Sequence, residues 1–323
     1  MATKSPQNCY TKAMNLEKSY LRPCLVGALG LLVFMAFSSC AMFSNIIADS
    51  LTGEGSNLVF TGDNDPQLVG DALPFGIKMY ESLLAANPKH LGLIKTTGSL
   101  YVMYANAFVA GPADYLGIDK ADEKIAAGHR ALNLYLRGRG MLINGLENDH
   151  PGFRDALLEG NPAPFLAKMQ KKDVPFLYWI AAAWFGALSQ DNVNVGLSMR
   201  MPNAKLCLDR AYALDPDWGN GSLDELYIQV LASIPAELGG SLEQAETHFK
   251  RALELAKGNS ASPYIGWATT VLVNKQEKAE FIKMMEKALA VDPEKDPERR
   301  LVNTLAHERA AWYLKHLDDF FID

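Results

Sequence analysis

From Leu242 to Ala256, small and apolar residues return every three or four positions: Leu242, Ala245, Phe249, Ala252 and Ala256. That period places them on one face of an amphipathic helix. Ser241 stands ahead of the stripe as a cap, and Gln244, three residues on, can reach back to complete a capping box. Glu246 and Lys250 are spaced i, i+4 on the outer face, and Gly258 offers a left-handed stop. One such stripe needs other helices to cover it. Beyond about residue 65 almost the whole chain keeps this period, and no run alternates like strands joined by hairpin turns. The pattern predicts an all-α fold of about a dozen helices.

One spacing recurs within the helical pattern. The second helix of a tetratricopeptide unit carries a small residue, a large one four later, a small one three later and a proline five later. Ala204, Leu208, Ala211 and Pro216 fit it, and Phe281, Met285, Ala288 and Pro293 repeat the spacing with a large residue in the first place. Ala245, Phe249, Ala252 and Lys257 fit without the proline, and Gly76, Tyr80, Leu83 and Pro88 make a weaker copy. The copies lie 128, 41 and 36 residues apart, and the first helices match poorly. The expectation is a degenerate tetratricopeptide-like helical repeat stack with turns inserted between units.

The segment "VPFLYWIAAAWFGAL", Val174 to Leu188, is apolar on every side. A helix of that kind sits in the middle of a structure. Simple core packing explains it; alternatively Tyr178, Trp179, Trp184 and Phe185 wall an apolar cavity or channel. Tyr101, Tyr104 and Phe108 form an aromatic stripe in "GSLYVMYANAFVAG" that reads as core or as ligand contact. Arg137 and Arg139 in "YLRGRGML" are either solvated helix charge or a grip for an anion or a partner's carboxylate.

The beginning of the chain differs. Lys4, Lys12, Lys18 and Arg22 precede the uncharged run Leu25 to Phe37, which ends at "SSC". This is the form of an export signal, and the run is shorter than the roughly 17–25 residues of a spanning helix. Phe37-Ser38-Ser39-Cys40 fits a bacterial lipobox apart from Phe37, so residues 1–39 read as a lipoprotein signal and Cys40 as the lipid attachment site. An uncleaved anchor from Cys24 to Phe43 is the alternative. Residues 40–62, rich in Gly, Ser, Asn and Asp, read as the lipidated N-terminus and a flexible tether, and residues 63–323 as the helical domain. Cleavage would take four basic side chains and Glu17 from a chain of net charge −6, leaving −9. Cys207, on the apolar side of "AKLCLDRAYAL", would then be a solitary core residue.

Charge and motifs narrow the function. The acidic balance, with no basic run interleaved with aromatics, argues against nucleic acid. There is no nucleophile elbow, phosphate loop or dinucleotide glycine pattern, so no catalytic residue and no cofactor is expected. "HERAA" at His307 begins like a zinc-protease helix, but Ala311 stands where the second His is needed, and no metal site is expected. The expectation is a binding protein rather than an enzyme.

"DNDPQLVGDALPFGIKMYESLLAANP", "ALNLYLRGRGML", "VPFLYWIAAAWFGALS", "LGGSLEQAETHFKRALEL" and "HERAAWYLKHLDDFF" resemble, in that order, blocks of the TRAP-transporter T-component lipoproteins. The resemblance spans about residues 57 to 323. It implies a periplasmic protein lipid-anchored to a bacterial membrane, built from cryptic tetratricopeptide units. It also implies a homotrimer with a pore in each protomer, a TRAP substrate-binding protein as partner, and a small hydrophobic or amphipathic ligand. A general envelope-assembly lipoprotein whose grooves hold protein segments is the other reading of the same pattern.

Overall fold

The computed structural model describes residues 48–53, 55 and 58–322. The chain divides into two compact units, Met1–Leu51 and Thr52–Asp323. Of the first, only residues 48–51 are described, and they are helical. The leader and Cys40 lie outside the described residues.

In the second unit every regular element among the described residues is helical, as the period predicts. α1 (Leu58–Thr61) is a single turn inside the stretch expected to be a tether. α2 (Pro66–Ala86) is capped by Asp65, whose side chain accepts the Leu68 amide at 3.0 Å. α3 (Leu91–Tyr104) runs through a π-helical turn, Ala105–Ala110. α4 (Ala121–Asp149) is the longest element, with Asp122 and Glu123 in its first turn, where they complement the helix dipole. Then come α5 (Phe153–Leu158), α6 (Ala163–Leu166), α7 (Val174–Gln190), α8 (Val195–Met199) and α9 (Met201–Leu214). The last third holds α10 (Ser222–Ser233), α11 (Leu242–Ala256) and α12 (Ser262–Trp267), which continues into a second π turn at Ala268–Leu272. α13 (Lys278–Leu289) and α14 (Arg300–Lys315) complete it.

α2 packs on α3, α3 on α4, α4 on α7, and α7 on α9. On the other side α10 pairs with α11 and α12, α12 with α13, and α13 with α14. α14 then returns to α1 and α2. Arg300 donates to the Gly62 carbonyl at 2.8 Å, Arg309 pairs with Asp114 at 3.3 Å, and Trp312 lies 5.0 Å from Tyr115. The order of neighbours therefore closes on itself, an arrangement compatible with a curved repeat stack.

Small residues set the closest approaches. A Cβ on Gly98 of α3 would fall 2.6 Å from Leu142, and one on Gly138 of α4 would fall 2.7 Å from the Gly98 carbonyl, so this pair of helices packs backbone against backbone. The small positions of the recurring spacing are likewise buried: Gly76, Ala204, Ala211, Ala245, Ala252 and Ala288. Cys207 is a free, fully buried thiol whose pKa is pushed up by burial, then by Asp209, so it fills core space.

α11 departs from its expected details in three places. Ser241 does accept the Gln244 amide at 3.2 Å, but its own amide donates to the Leu231 carbonyl at 2.9 Å. The capping box is thus only half formed, because the preceding helix, α10, supplies the second acceptor. The left-handed stop begins at Lys257 (φ 51°) and continues through Gly258 (φ 80°). Leu242 is largely exposed, so the buried stripe runs from Ala245 to Ala256. Glu246 and Lys250 pair at 2.7 Å as their spacing implies.

Candidate functional site

α7 is buried among α3, α4, α9 and α10. Val174, Leu177, Ile180, Ala181, Trp184 and Ala187 are sealed. One stripe stays partly open, Pro175, Tyr178, Ala182 and Phe185 at three- and four-residue intervals, with Trp179 beside Tyr178, and the last turn from Gly186 is open in part as well. Three of the four aromatics expected on this helix, Tyr178, Trp179 and Phe185, thus retain exposure. Trp184 does not: it is 1% exposed and donates its indole N–H to the Leu197 carbonyl of α8 at 3.1 Å. Trp184 belongs to the seam between α7, α4 and α8.

Tyr178 collects neighbours from distant parts of the chain. Its ring lies 5.0 Å from Trp179 and 4.7 Å from Trp218, which sits in the turn before α10. Burial raises the Tyr178 phenol pKa, and the nearby Glu225 carboxyl adds to that. Glu225 accepts from Ser260 Oγ at 3.0 Å and from Arg299 Nη1 at 3.3 Å, and burial holds its own pKa above the ordinary carboxylate range. Arg299 also donates to the Gly219 and Asn220 carbonyls at 2.9 and 2.8 Å. This cluster therefore joins α7, α10, the start of α12 and the approach to α14. Nothing local in the chain announces it, because Trp218 reads as part of a turn and Arg299 as one charge in a charged run.

The second aromatic group divides differently. Tyr101 is buried, donates its hydroxyl to Glu81 at 2.7 Å, and lies under the Arg137 guanidinium at 5.2 Å. Burial and the neighbouring Glu81 raise its phenol pKa. Burial works to raise the Glu81 pKa, yet Lys78, Tyr101 and Arg137 together bring it below the usual value. Tyr104 accepts from Arg130 at 3.1 Å and packs 6.0 Å from Phe108. Phe108 covers Gly70 of α2, where a Cβ would come within 2.7 Å of its ring. Tyr101, Tyr104 and Phe108 thus tie α2, α3 and α4 together, away from the open stripe of α7.

A half-open cleft of about 340 Å³ lies elsewhere, between the end of α10, the start of α11 and the second π turn. Leu231, Ile234, Leu242 and Val271 line it, with Lys275 at the edge. It holds none of the aromatics singled out above.

The described residues thus form an all-helical scaffold that carries a partly open aromatic surface. Over residues 62–321 the chain matches the TRAP transporter T-component family. It is also 34% identical over 268 residues to a protein of Treponema pallidum (strain Nichols) described as uncharacterized, a similarity covering 82% of this chain and 83% of that one. The chain belongs to the TRAP transporter T-component family. Among the described residues no helix is long and apolar enough to cross a membrane.

Proposed function

We propose that this protein is a periplasmic scaffold, tethered by a lipid at Cys40, that docks the substrate-binding protein of a TRAP-type transporter and holds a hydrophobic or amphipathic ligand. The carrying observation is the family match, which extends over nearly the whole helical unit. Support for ligand holding comes from the partly open Tyr178, Trp179 and Phe185 on a helix whose opposite side is sealed. Apolar surface left open in this way, beside a few convergent polar groups, is the usual make-up of a small-molecule site. Glu225, Ser260 and Arg299 supply such groups next to Tyr178. Assembly into a trimer belongs to the same reading.

The test is direct. The purified protein and a TRAP substrate-binding protein from the same organism are mixed and followed by analytical ultracentrifugation. Co-sedimentation as a defined complex is expected; two independent species at every concentration would count against the docking role. Mass spectrometry of small molecules that co-purify with the protein, compared with a Tyr178→Ala, Phe185→Ala variant, tests ligand holding separately.

A further inference from the structure

Arg137 and Arg139 stand two residues apart on α4, yet the fold treats them oppositely. Arg137 is partnered, by Glu81 at 3.4 Å and by the Tyr101 ring. Arg139 turns into the seam with α7, where its guanidinium lies 4.2 Å from the centre of the Trp184 ring. Its Nε and Nη1 are enclosed and have no hydrogen-bond partner. Arg210, Arg300 and Arg309 also each enclose an Nε without a partner, but these three bond through other nitrogens to carbonyls or carboxylates. Among the described residues Arg139 is the arginine with enclosed nitrogens and neither a hydrogen bond nor an ion pair.

The energetics of that arrangement are one-sided. Stripping water from a cation costs several kcal/mol unless an acceptor replaces it. The Trp184 ring attracts the guanidinium charge through its π face. It does not supply the hydrogen-bond acceptors that Nε and Nη1 lack. Desolvation alone draws the Arg139 pKa down to about 10, with no acidic neighbour acting to restore it. Arg139 as a whole nevertheless remains partly exposed, so part of the side chain meets solvent.

We propose that Arg139, backed by Trp184, is an anion site that receives the carboxylate of a small organic acid. A planar monoanion matches the guanidinium edge and balances a single cation. A dianion such as phosphate would call for a second cation, and Arg137 is committed to Glu81. The apolar seam around Trp184 favours an acid with an apolar body over a highly polar one. This site lies on the side of α7 away from the Tyr178 stripe, and it does not rest on the transporter reading.

The experiment uses the full chain in lipid nanodiscs, with hexanoate as probe and hexanol as its uncharged counterpart. Calorimetric binding and the thermal midpoint are read for the wild type, Arg139→Met, Arg139→Lys, and the Tyr178→Ala, Phe185→Ala double variant. Hexanoate, and not hexanol, should bind the wild type and raise its midpoint. Affinity should fall at least about tenfold in Arg139→Met, the equivalent of one lost charged hydrogen bond, and less in Arg139→Lys, while the double variant keeps it. Arg139→Met should also raise the midpoint of the ligand-free protein, which establishes that the variant is folded. Equal binding of hexanoate to Arg139→Met, equal binding of hexanol to the wild type, or no hexanoate binding at millimolar concentration would each overturn the proposal; the last would leave water as the occupant. Loss of binding in the double variant alone would move the ligand to the aromatic stripe and overturn it as well.

Discussion

Arg300, the first residue of α14, donates to the carbonyl of Gly62, the residue following α1, across 2.8 Å and 238 positions of chain. The same guanidinium pairs with Glu294 at 2.9 Å, so one side chain fastens the end of the helical path to its beginning. Replacing it with Met keeps the stem and removes both interactions. Arg300→Met should cost about 1–2 kcal/mol, the scale of a hydrogen bond to a charged group. Hydrogen exchange should quicken around residues 58–63 and in the first turn of α14, with α7 unchanged. Uniform loss of protection would mean that closure is not a separable contact.

A buried acid provides a sharper case. Asp224 of α10 has no exposed surface, its Oδ1 lies 2.6 Å from His248 Nδ1 of α11, and its Oδ2 has no partner. The His248 ring is stacked on Tyr227 at 4.3 Å with only 9° between planes, which fixes its orientation. Arg251 Nε, at 3.8 Å, is the next cation. His248→Ala leaves the carboxylate without its closest partner and should destabilise the fold by about 3 kcal/mol. Asp224→Asn combined with His248→Gln should recover part of that loss in urea unfolding, since the pair is then neutral. Simple additivity of the two changes would refute the coupling.

Glu225, next in sequence, gives a pH signature. Burial raises its pKa in the folded chain above the ordinary value of a glutamate, although Arg299 and Ser260 pull the other way. The folded protein therefore keeps this proton to a higher pH than the unfolded chain does. The associated stability is complete below the unfolded value and is lost as pH rises through the raised one. The unfolding free energy from urea titrations should fall across that window, by no more than about 1.4 kcal/mol per pH unit for one proton. In Glu225→Gln this part of the slope should vanish. A slope identical to wild type would assign the dependence to another group.

These three relationships differ in how far the chain itself foretells them. α11 is readable from its three- and four-residue spacing and α7 from its unbroken apolar run, both of which are local properties. Ser241 is also readable, but its missing reciprocal bond is not, because the competing acceptor, Leu231, comes from the preceding helix. The π turns at Ala105–Ala110 and Ala268–Leu272 leave no compositional mark in runs of small and β-branched residues. Trp184 and Phe185 adjoin in sequence yet point about 100° apart, and which of them is sealed is decided only once the neighbours of α7 are known. Arg137 and Arg139 are indistinguishable in "LRGRG"; Glu81 and Trp184, dozens of residues away on either side, make one a surface ion pair and the other an enclosed cation.

The α7 aromatics should separate by stability. Trp184→Ala empties a sealed site and removes the bond to Leu197, so a loss of about 3–5 kcal/mol is expected. Trp184→Phe keeps most of the volume and should cost far less. Phe185→Ala, on the partly open stripe, should cost under about 2 kcal/mol, because less area leaves water there on folding. Equal losses at Trp184 and Phe185 would show that the stripe is core and would withdraw it as a ligand surface.

The packing of α4 against α7 predicts opposite signs for one chemical change. At Gly186 of α7 an added Cβ would sit 2.5 Å from the Tyr135 ring of α4, and Tyr135 is buried, with its hydroxyl held by Asn106 at 3.2 Å. The ring has nowhere to retreat, so Gly186→Ala must part the two helices and should cost about 1–3 kcal/mol. At Gly140 of α4 the added methyl meets nothing within 4 Å, and the helix only gains from a stiffer residue. Gly140→Ala should therefore stabilise by about 0.5–1 kcal/mol. Thermal or urea unfolding of the two variants side by side measures this, and losses of equal size would mean that α4 and α7 do not meet in this register.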